Sequence, residues 1–179
     1  MHVRFSASIL VAVEGISDRS VLELLARRQG RDLAAEGIEI VPIGGAHAIG
    51  RFVAALPLGT AVRGLCDENE ARVFRSVLAD VHVCVPDLEG ELIRALGVDG
   101  VEGVLAATGG LHSFRTFQRQ PAQRGRPLDA QLHRWLRSSS TRFHRYLRLL
   151  VEALDLDRVP QPLNDVLVKT KKGSDPGGL

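Results

Sequence analysis

Aromatic residues make up only 4% of this 179-residue chain, with one tryptophan and one tyrosine. A core of that size must then be built from Leu, Val, Ala and Ile, a composition that suits a parallel sheet covered by helices. Cysteine is almost as scarce. Cys66 and Cys84 both fall inside apolar, strand-like runs and read as small core residues in a reducing compartment rather than as a disulfide. Their spacing is not that of a zinc site. No apolar run approaches the length of a membrane span. The N-terminal run is short, ends at Glu14 and carries no small-residue cleavage site, so it does not read as a signal peptide. A soluble, cytoplasmic protein with no membrane partner is the expectation. Three chemistries lack their motifs as well. There is no Gly-x-x-x-x-Gly-Lys-Ser/Thr loop for an ATPase, no His-Glu-x-x-His for zinc, and Ser17 in Gly-Ile-Ser-Asp is no nucleophile elbow.

What is present is a core-forming fraction of 45% hydrophobic residues, enough for one domain. The net charge of +2 is unevenly spread. Residues 1–110 hold 15 Asp/Glu against 10 Lys/Arg, residues 111–179 hold 13 Lys/Arg against 6 Asp/Glu, and 111–150 contain nine arginines and the single acid Asp129. An acidic body followed by a basic segment points to a polyanionic partner.

Strand and helix signals alternate through the first ninety residues. Apolar, β-branched runs predict strands at 9–13, 38–43, 61–66 and 81–85. Helices are expected at about 18–28, 46–56, 68–78 and 87–96, the last opened by Pro86 and Asp87 and closed by Gly97. Four β-α units in a row argue for a mostly parallel sheet with right-handed crossovers. Residues 101–105 read equally as an edge strand or a helical turn. Two or three helices are expected across 111–154, including 128–136 and 141–154, with a loop at 120–127. The tail 169–179 reads as disordered.

Acids collect where strands end and helices begin: Glu14, Asp18, Asp67, Asp87, Glu89 and Glu91, with Glu68 and Glu70 nearby. In an open α/β sheet that rim is where chemistry gathers, and grouped hard oxygen ligands suit Mg2+ or Mn2+. Singly, Asp18 and Asp87 read as helix caps and Glu91 as a solvated helix face. Glu14 and Asp67 differ, because each ends a buried strand, where an unpaired acid is costly. Gly44 and Gly45 form a tight turn that could bring the backbone close to a phosphate at a helix start. His47 could face the site. His82 reads as a core or edge residue, and His112, His133 and His144 as surface residues among the arginines.

Together, Val-Glu-Gly-Ile-Ser-Asp (13–18), Gly44-Gly45, Leu-Cys-Asp-Glu-Asn-Glu (65–70) and Asp-Leu-Glu-Gly-Glu-Leu (87–92) resemble a TOPRIM domain. TOPRIM is the catalytic α/β domain shared by topoisomerases, bacterial primases and OLD-family nucleases. Residues 83–97 and 115–125 are similar to segments of the stand-alone TOPRIM nucleotidyl transferase/hydrolase domain proteins of the OLD-like group, so the likeness runs to about residue 165. The resemblance implies a Rossmann-like sheet of about four mostly parallel strands flanked by helices, with a helical basic C-terminal extension. Its domains would be a TOPRIM catalytic core at 1–105, an Arg-rich extension packed on it at 106–165, and a tail at 166–179.

It also implies phosphodiester hydrolysis on nucleic acid, DNA first, with one or two Mg2+ or Mn2+ ions. Glu14 looks like the TOPRIM glutamate, a metal ligand or general acid/base, and Asp67 like the first acid of the family's Asp-x-Asp. Asp18 and Glu89 resemble the metal ligands added in the OLD-like branch, and Asp87 or Glu91 would complete the shell. Two positions depart from the pattern: the second Asp is Asn69, and Phe143 stands where a lysine is expected. A catalytically weak module that binds metal and nucleic acid beside a separate ATPase partner is therefore the alternative, and transfer or hydrolysis on a small phosphoester a third. A homodimer is a further expectation. Of the arginines, Arg115, Arg119, Arg124, Arg126, Arg142 and Arg145 are the candidates for a phosphate track, against the plain reading of solvated helix faces and arginines paired with the acidic body. Trp135 and Leu136 read as core.

Overall fold

The computed structural model describes residues 8–168. Four strands, β1 (Ile9–Val13), β2 (Ile38–Pro42), β3 (Ala61–Asp67) and β4 (Asp80–Cys84), form one sheet in the order β2-β1-β3-β4. Every pairing is parallel. Because β1 lies between β2 and β3, all five of its residues are buried, which is why its sequence is apolar throughout instead of alternating. Edge strand β2 keeps Ile38 and Ile40 inside and Glu39 outside.

Side chains leave β1 on alternate faces, and each face has its own core. Val11 and Val13 join a large cluster with Leu22, Leu92, Leu105, Trp135, Leu150 and Leu163, while Ala12 joins a smaller one with Ile49, Cys66 and Phe74. The smaller face is covered by α2 (Ile49–Ala54) and α3 (Ala71–Arg75), each entered through a 3-10 turn, at Ala46–Ala48 and Glu68–Glu70. These helices are shorter than the sequence pattern predicts, because the first turn of each is wound more tightly. The larger face carries α1 (Ile16–Arg28) and all the later helices: α4 (Leu88–Ala107), α5 (Leu111–Gln118), α6 (Leu128–Arg137), α7 (Ser140–Ala153) and α8 (Gln161–Val166). α7 packs on α1 and α4, α6 on α4, and α8 on β3 and β4.

Gly97 is not a helix end. It takes φ 72° and ψ 164° inside α4, and the helix resumes beyond it. Only glycine adopts that conformation without strain. Val101 and Leu105, whose strand or helix character the sequence leaves open, are helical and fully buried. The helix that leads into the basic segment thus already belongs to the sheet's main core. Arginines of the N-terminal half hold the other end in place: Arg28 Nη1 donates to the carbonyls of Val151 and Leu154 at 2.7 and 2.6 Å, and Arg31 Nη2 to that of Leu167 at 2.5 Å. Trp135 sits between Phe114 and Tyr146, its ring centre 5.7 and 5.2 Å from theirs. Both cysteines are buried free thiols. Among the described residues no helix is long and apolar enough to cross a membrane. The tail expected at 169–179 lies outside them.

Gly64, in the middle of β3, gives a test of this packing. A Cβ there would stand 2.6 Å from Phe74 Cδ1 and 3.0 Å from Leu78 Cδ1, and both side chains are buried. Gly64→Ala should therefore lower unfolding stability by about 1–3 kcal/mol, read from urea melts. An unchanged midpoint would mean that α3 shifts freely on the sheet.

Candidate metal centre

Parallel strands all end at the same edge, and here the ends of β1 and β3 and the starts of α1 and α4 carry acids there. Glu14 directly follows β1, and Asp67 is the last residue of β3, the adjacent strand. The Asp67 main-chain N–H donates to Glu14 Oε1 at 3.3 Å, which sets the two residues side by side. Asp18, in the first turn of α1, accepts from the Gly15 N–H at 2.8 Å. It is a helix cap as well as a rim acid. Asp67 Oδ1 in turn accepts from the Leu88 N–H at 3.3 Å, where α4 begins. That contact draws the next pair of acids, Asp87 and Glu89, up to the same edge.

The electrostatics follow from this crowding. Burial pushes Asp67 up to about 7, helped by the charges of Glu14, Asp87, Glu89 and Asp18. Burial also raises Glu14, with Asp18 and Glu70 adding to it against the hydrogen bond from Asp67. Asp18 is raised by burial against its own backbone hydrogen bonds. Among the described residues no side-chain cation reaches these three carboxylates; their partners are main-chain N–H groups. Half-buried oxygen donors that repel one another and lack a counter-charge suit a hard divalent cation, although among the described residues the donor atoms gathered within 4.8 Å of one another are those of Asp87, Glu89 and His133.

Asp87 and Glu89 have a different surrounding. Asp87 caps α4 through the Gly90 N–H at 2.9 Å. It also receives His133 Nε2 at 2.7 Å and Arg137 Nη1 at 3.1 Å. Burial would raise its pKa, but the His133 and Gly90 hydrogen bonds and the two cations outweigh that and hold it below the usual value. The same Arg137 nitrogen donates to Glu89 Oε1 at 2.8 Å. Glu89 is only 3% exposed, and burial followed by the Asp87 charge leaves its pKa raised despite Arg137. The Asp87 hydrogen bond raises His133, against its burial. His133, read from sequence as a surface residue, and Arg137, read as one basic residue among nine, are thus part of the acidic edge. The signal for them was their i, i+4 spacing on α6, which presents both on one helix face.

Three groups of expected site residues make other contacts. Glu91 neither joins the acids nor lines a solvated face. It is buried, accepts from the Val85 N–H at 2.9 Å and pairs with Arg94 at 2.8 Å, because the β4–α4 turn leaves that N–H without a strand partner. Gly44 and Gly45 lie beside Glu14, at φ 78° and 105°. However, both their N–H groups donate to the Glu14 carbonyl, at 3.1 and 3.0 Å, and so are not turned to an anion. Most of the candidate phosphate-track arginines have intramolecular roles. Arg115 grips Glu102 through two nitrogens, at 2.6 and 2.9 Å. Arg142 lies 4.4 Å over the Trp135 ring and bonds the Trp135 carbonyl and Ser138 Oγ. Arg145 donates to the Thr108 carbonyl and Arg126 to that of Ala122. Arg119 and Arg124 are exposed with no side-chain partner among the described residues. Of the remaining positions, Asn69 is exposed, His47 is exposed beside Gly45, and Phe143 packs against the main core.

The raised Asp67 has a consequence for stability. Without metal, the folded protein keeps the Asp67 proton up to about pH 7, whereas the unfolded chain releases it near 3.8. The folded state then binds more protons across that window, so this group's contribution falls as pH rises from about 4 to about 7. Thermal melts should show a shallower decline with pH in Asp67→Asn than in the parent chain. Mn2+ should raise the parent's melting temperature more at pH above that window than below it. Identical pH profiles for parent and variant would remove Asp67 from the crowded edge.

Residues 5–67 match the family model for the TOPRIM domain of overcoming-lysogenization-defect (OLD) protein-like sequences. No curated protein sequence matches the chain. Among solved structures, the C-terminal region of the Burkholderia pseudomallei OLD protein superimposes with a TM-score of 0.62 at 15% identity, over 90% of this chain and 95% of that one. The C-terminal region of the Xanthomonas campestris pv. campestris OLD protein does so with a TM-score of 0.62 at 19% identity, over 92% and 94%. At such identities the structures speak for the fold. The likeness to OLD-like TOPRIM proteins read from the sequence motifs is borne out: residues 5–67 match the OLD-like TOPRIM family model, and the chain as a whole has the fold of the C-terminal region of an OLD protein.

Proposed function

We propose that the protein hydrolyses phosphodiester bonds in nucleic acid, DNA in the first place, using Mg2+ or Mn2+ held by Glu14, Asp18 and Asp67. The observation that carries this reading is the crowding of those three acids at one sheet edge, where the Asp18 charge raises both Glu14 and Asp67, without a side-chain cation among the described residues. A bound ion there would supply Lewis-acid polarisation of a phosphate and a more acidic water. Glu14 is the residue suited to proton exchange, because it is only partly buried, beside Asp67, and its carboxyl is held above the usual range by burial and by neighbouring acids. Asp18 and Asp67 hold the ion, and their main-chain hydrogen bonds fix the angle at which each carboxylate is offered. An open groove of about 630 Å³ between α4 and α6 is lined by Arg94, Arg126, His133 and Arg134, with the single acid Asp129. Its charge suits a sugar–phosphate backbone, with Arg119 and Arg124 as further exposed contacts. An ATPase partner would work with this site. That partner, a homodimer and a cytoplasmic location are parts of the same proposal.

One observation favours a second reading, a module that binds metal and nucleic acid with little or no turnover. The residue at the expected lysine position, Phe143, is packed against the core, and the flanking Arg142 and Arg145 are engaged with Trp135 and Thr108. A supercoiled-plasmid assay with Mg2+ and Mn2+, run beside a Mn2+ titration, separates the two. Nicking by the parent chain, reduced at least about 100-fold in Glu14→Ala and Asp67→Ala, is the expected result. Ion binding with no nicking under either metal would favour the binding module, and full activity in either variant would remove the chemistry from this edge.

A further inference from the structure

The acids at the sheet edge divide by what already neutralises them. Among the described residues, Glu14, Asp18 and Asp67 meet only main-chain N–H groups. Asp87 and Glu89 instead share one guanidinium nitrogen, Arg137 Nη1, at 3.1 and 2.8 Å, and Asp87 also holds His133 Nε2 at 2.7 Å. Donor atoms of Asp87, Glu89 and His133 all lie within 4.8 Å of one another, the donor types and spacing of a divalent-cation site. That place is taken by a side chain of the protein itself.

We infer that Arg137, seated with His133 on Asp87 and Glu89, stands in for a second divalent cation, so that the protein holds a single metal ion, on Glu14, Asp18 and Asp67. The inference rests on the metal-binding reading given above and limits it to one ion. Three features support it. First, the arginine is delivered by a rigid element: Leu132, Trp135 and Leu136 anchor α6 in the main core, so Arg137 and His133 are held against α4 by the fold. Second, displacing it is costly. An incoming ion would have to expel a guanidinium that stays charged at any working pH from a carboxylate that is almost wholly buried, and strip the imidazole from Asp87. Third, Arg137 itself is half exposed, and its other N–H groups have no partner among the described residues. A guanidinium in that position can meet a phosphate oxygen through those groups while neutralising the acids behind it, which is the positioning role of a second ion.

The test counts Mn2+ ions bound to the whole chain at neutral pH, by isothermal titration calorimetry and by the paramagnetic resonance of free Mn2+. The parent chain should bind one ion. Glu89→Gln should keep it with an affinity change below about tenfold, the effect of one nearby charge, whereas Asp67→Asn should weaken it at least about 100-fold, as loss of a direct ligand does. Arg137→Ala should bind two ions, and Arg137→Ala combined with His133→Ala should return to one. Two ions on the parent chain overturn the inference and leave the metal-binding reading standing. One ion on a folded Arg137→Ala variant, or loss of the ion in Glu89→Gln, also overturns it, and the latter decides the matter if Arg137→Ala does not fold. No ion on the parent chain overturns both.

Discussion

Negative charge concentrated at one edge of a parallel sheet is the constraint around which the rest of this molecule is arranged. The strands are all parallel, so their carboxyl ends share one edge, and the order β2-β1-β3-β4 makes β1 and β3 neighbours. Neighbouring strands lie roughly 4.8 Å apart, so acids at the ends of β1 and β3 cannot avoid each other. The first turn of α4 then adds Asp87 and Glu89 where Asp67 already accepts from Leu88. A sheet interior this apolar gives little screening, and Asp67 is driven up to about 7 as a result. Such an arrangement is unfavourable as a resting structure and is relieved by cations, whether bound ions or side chains of the protein.

The later helices supply part of that relief. The uneven charge of the sequence, acidic first and basic afterwards, is partly cancelled inside the molecule: Arg137 on Asp87 and Glu89, and Arg115 on Glu102. Other arginines are used as caps on helix ends, as Arg28 is on the last carbonyls of α7, or as a lid over an aromatic ring, as Arg142 is on Trp135. The extension therefore does more than present positive charge to a polyanion. It completes the large core on the α1 face, and with α6 it carries two cationic side chains to the acids at the sheet edge.

How far this could be read from the chain depended on the range of the interaction. The strands were legible because burial on both faces of a parallel sheet leaves runs such as Ile9–Val13 with no polar residue. Glu14 and Asp67 were legible as well, since an acid closing such a run has few structural uses. The helix at 101–105 was not, because a valine and a leucine four residues apart fit either element, and the choice is made by contact with the distant α6 and α7. Gly97 was correctly marked as an interruption but misread as a stop, since a glycine with φ 72° can end a helix or turn it. Glu91 differs from Glu89 by two positions, about 200° around a helix, and its partners Val85 and Arg94 turn it away from the edge. His133 and Arg137 were the hardest to place. Their spacing fits a solvated helix face equally well, and what decides is the docking of α6 on α4.

That docking also bears on the departures from the TOPRIM pattern. By resemblance, a lysine is expected where Phe143 stands, on α7, and a second aspartate where Asn69 stands. Phe143 is packed against the main core, and Asn69 is exposed, so both positions have lost charge, one positive and one negative. The cation that this chain does bring to its acids comes from α6, one helix earlier, and sits on the α4 pair rather than on Glu14 and Asp67. The result keeps a vacancy of charge at only one of the two groups of carboxylates. The uncompensated carboxylates are half-buried hard oxygen donors, the type that suits a small divalent ion.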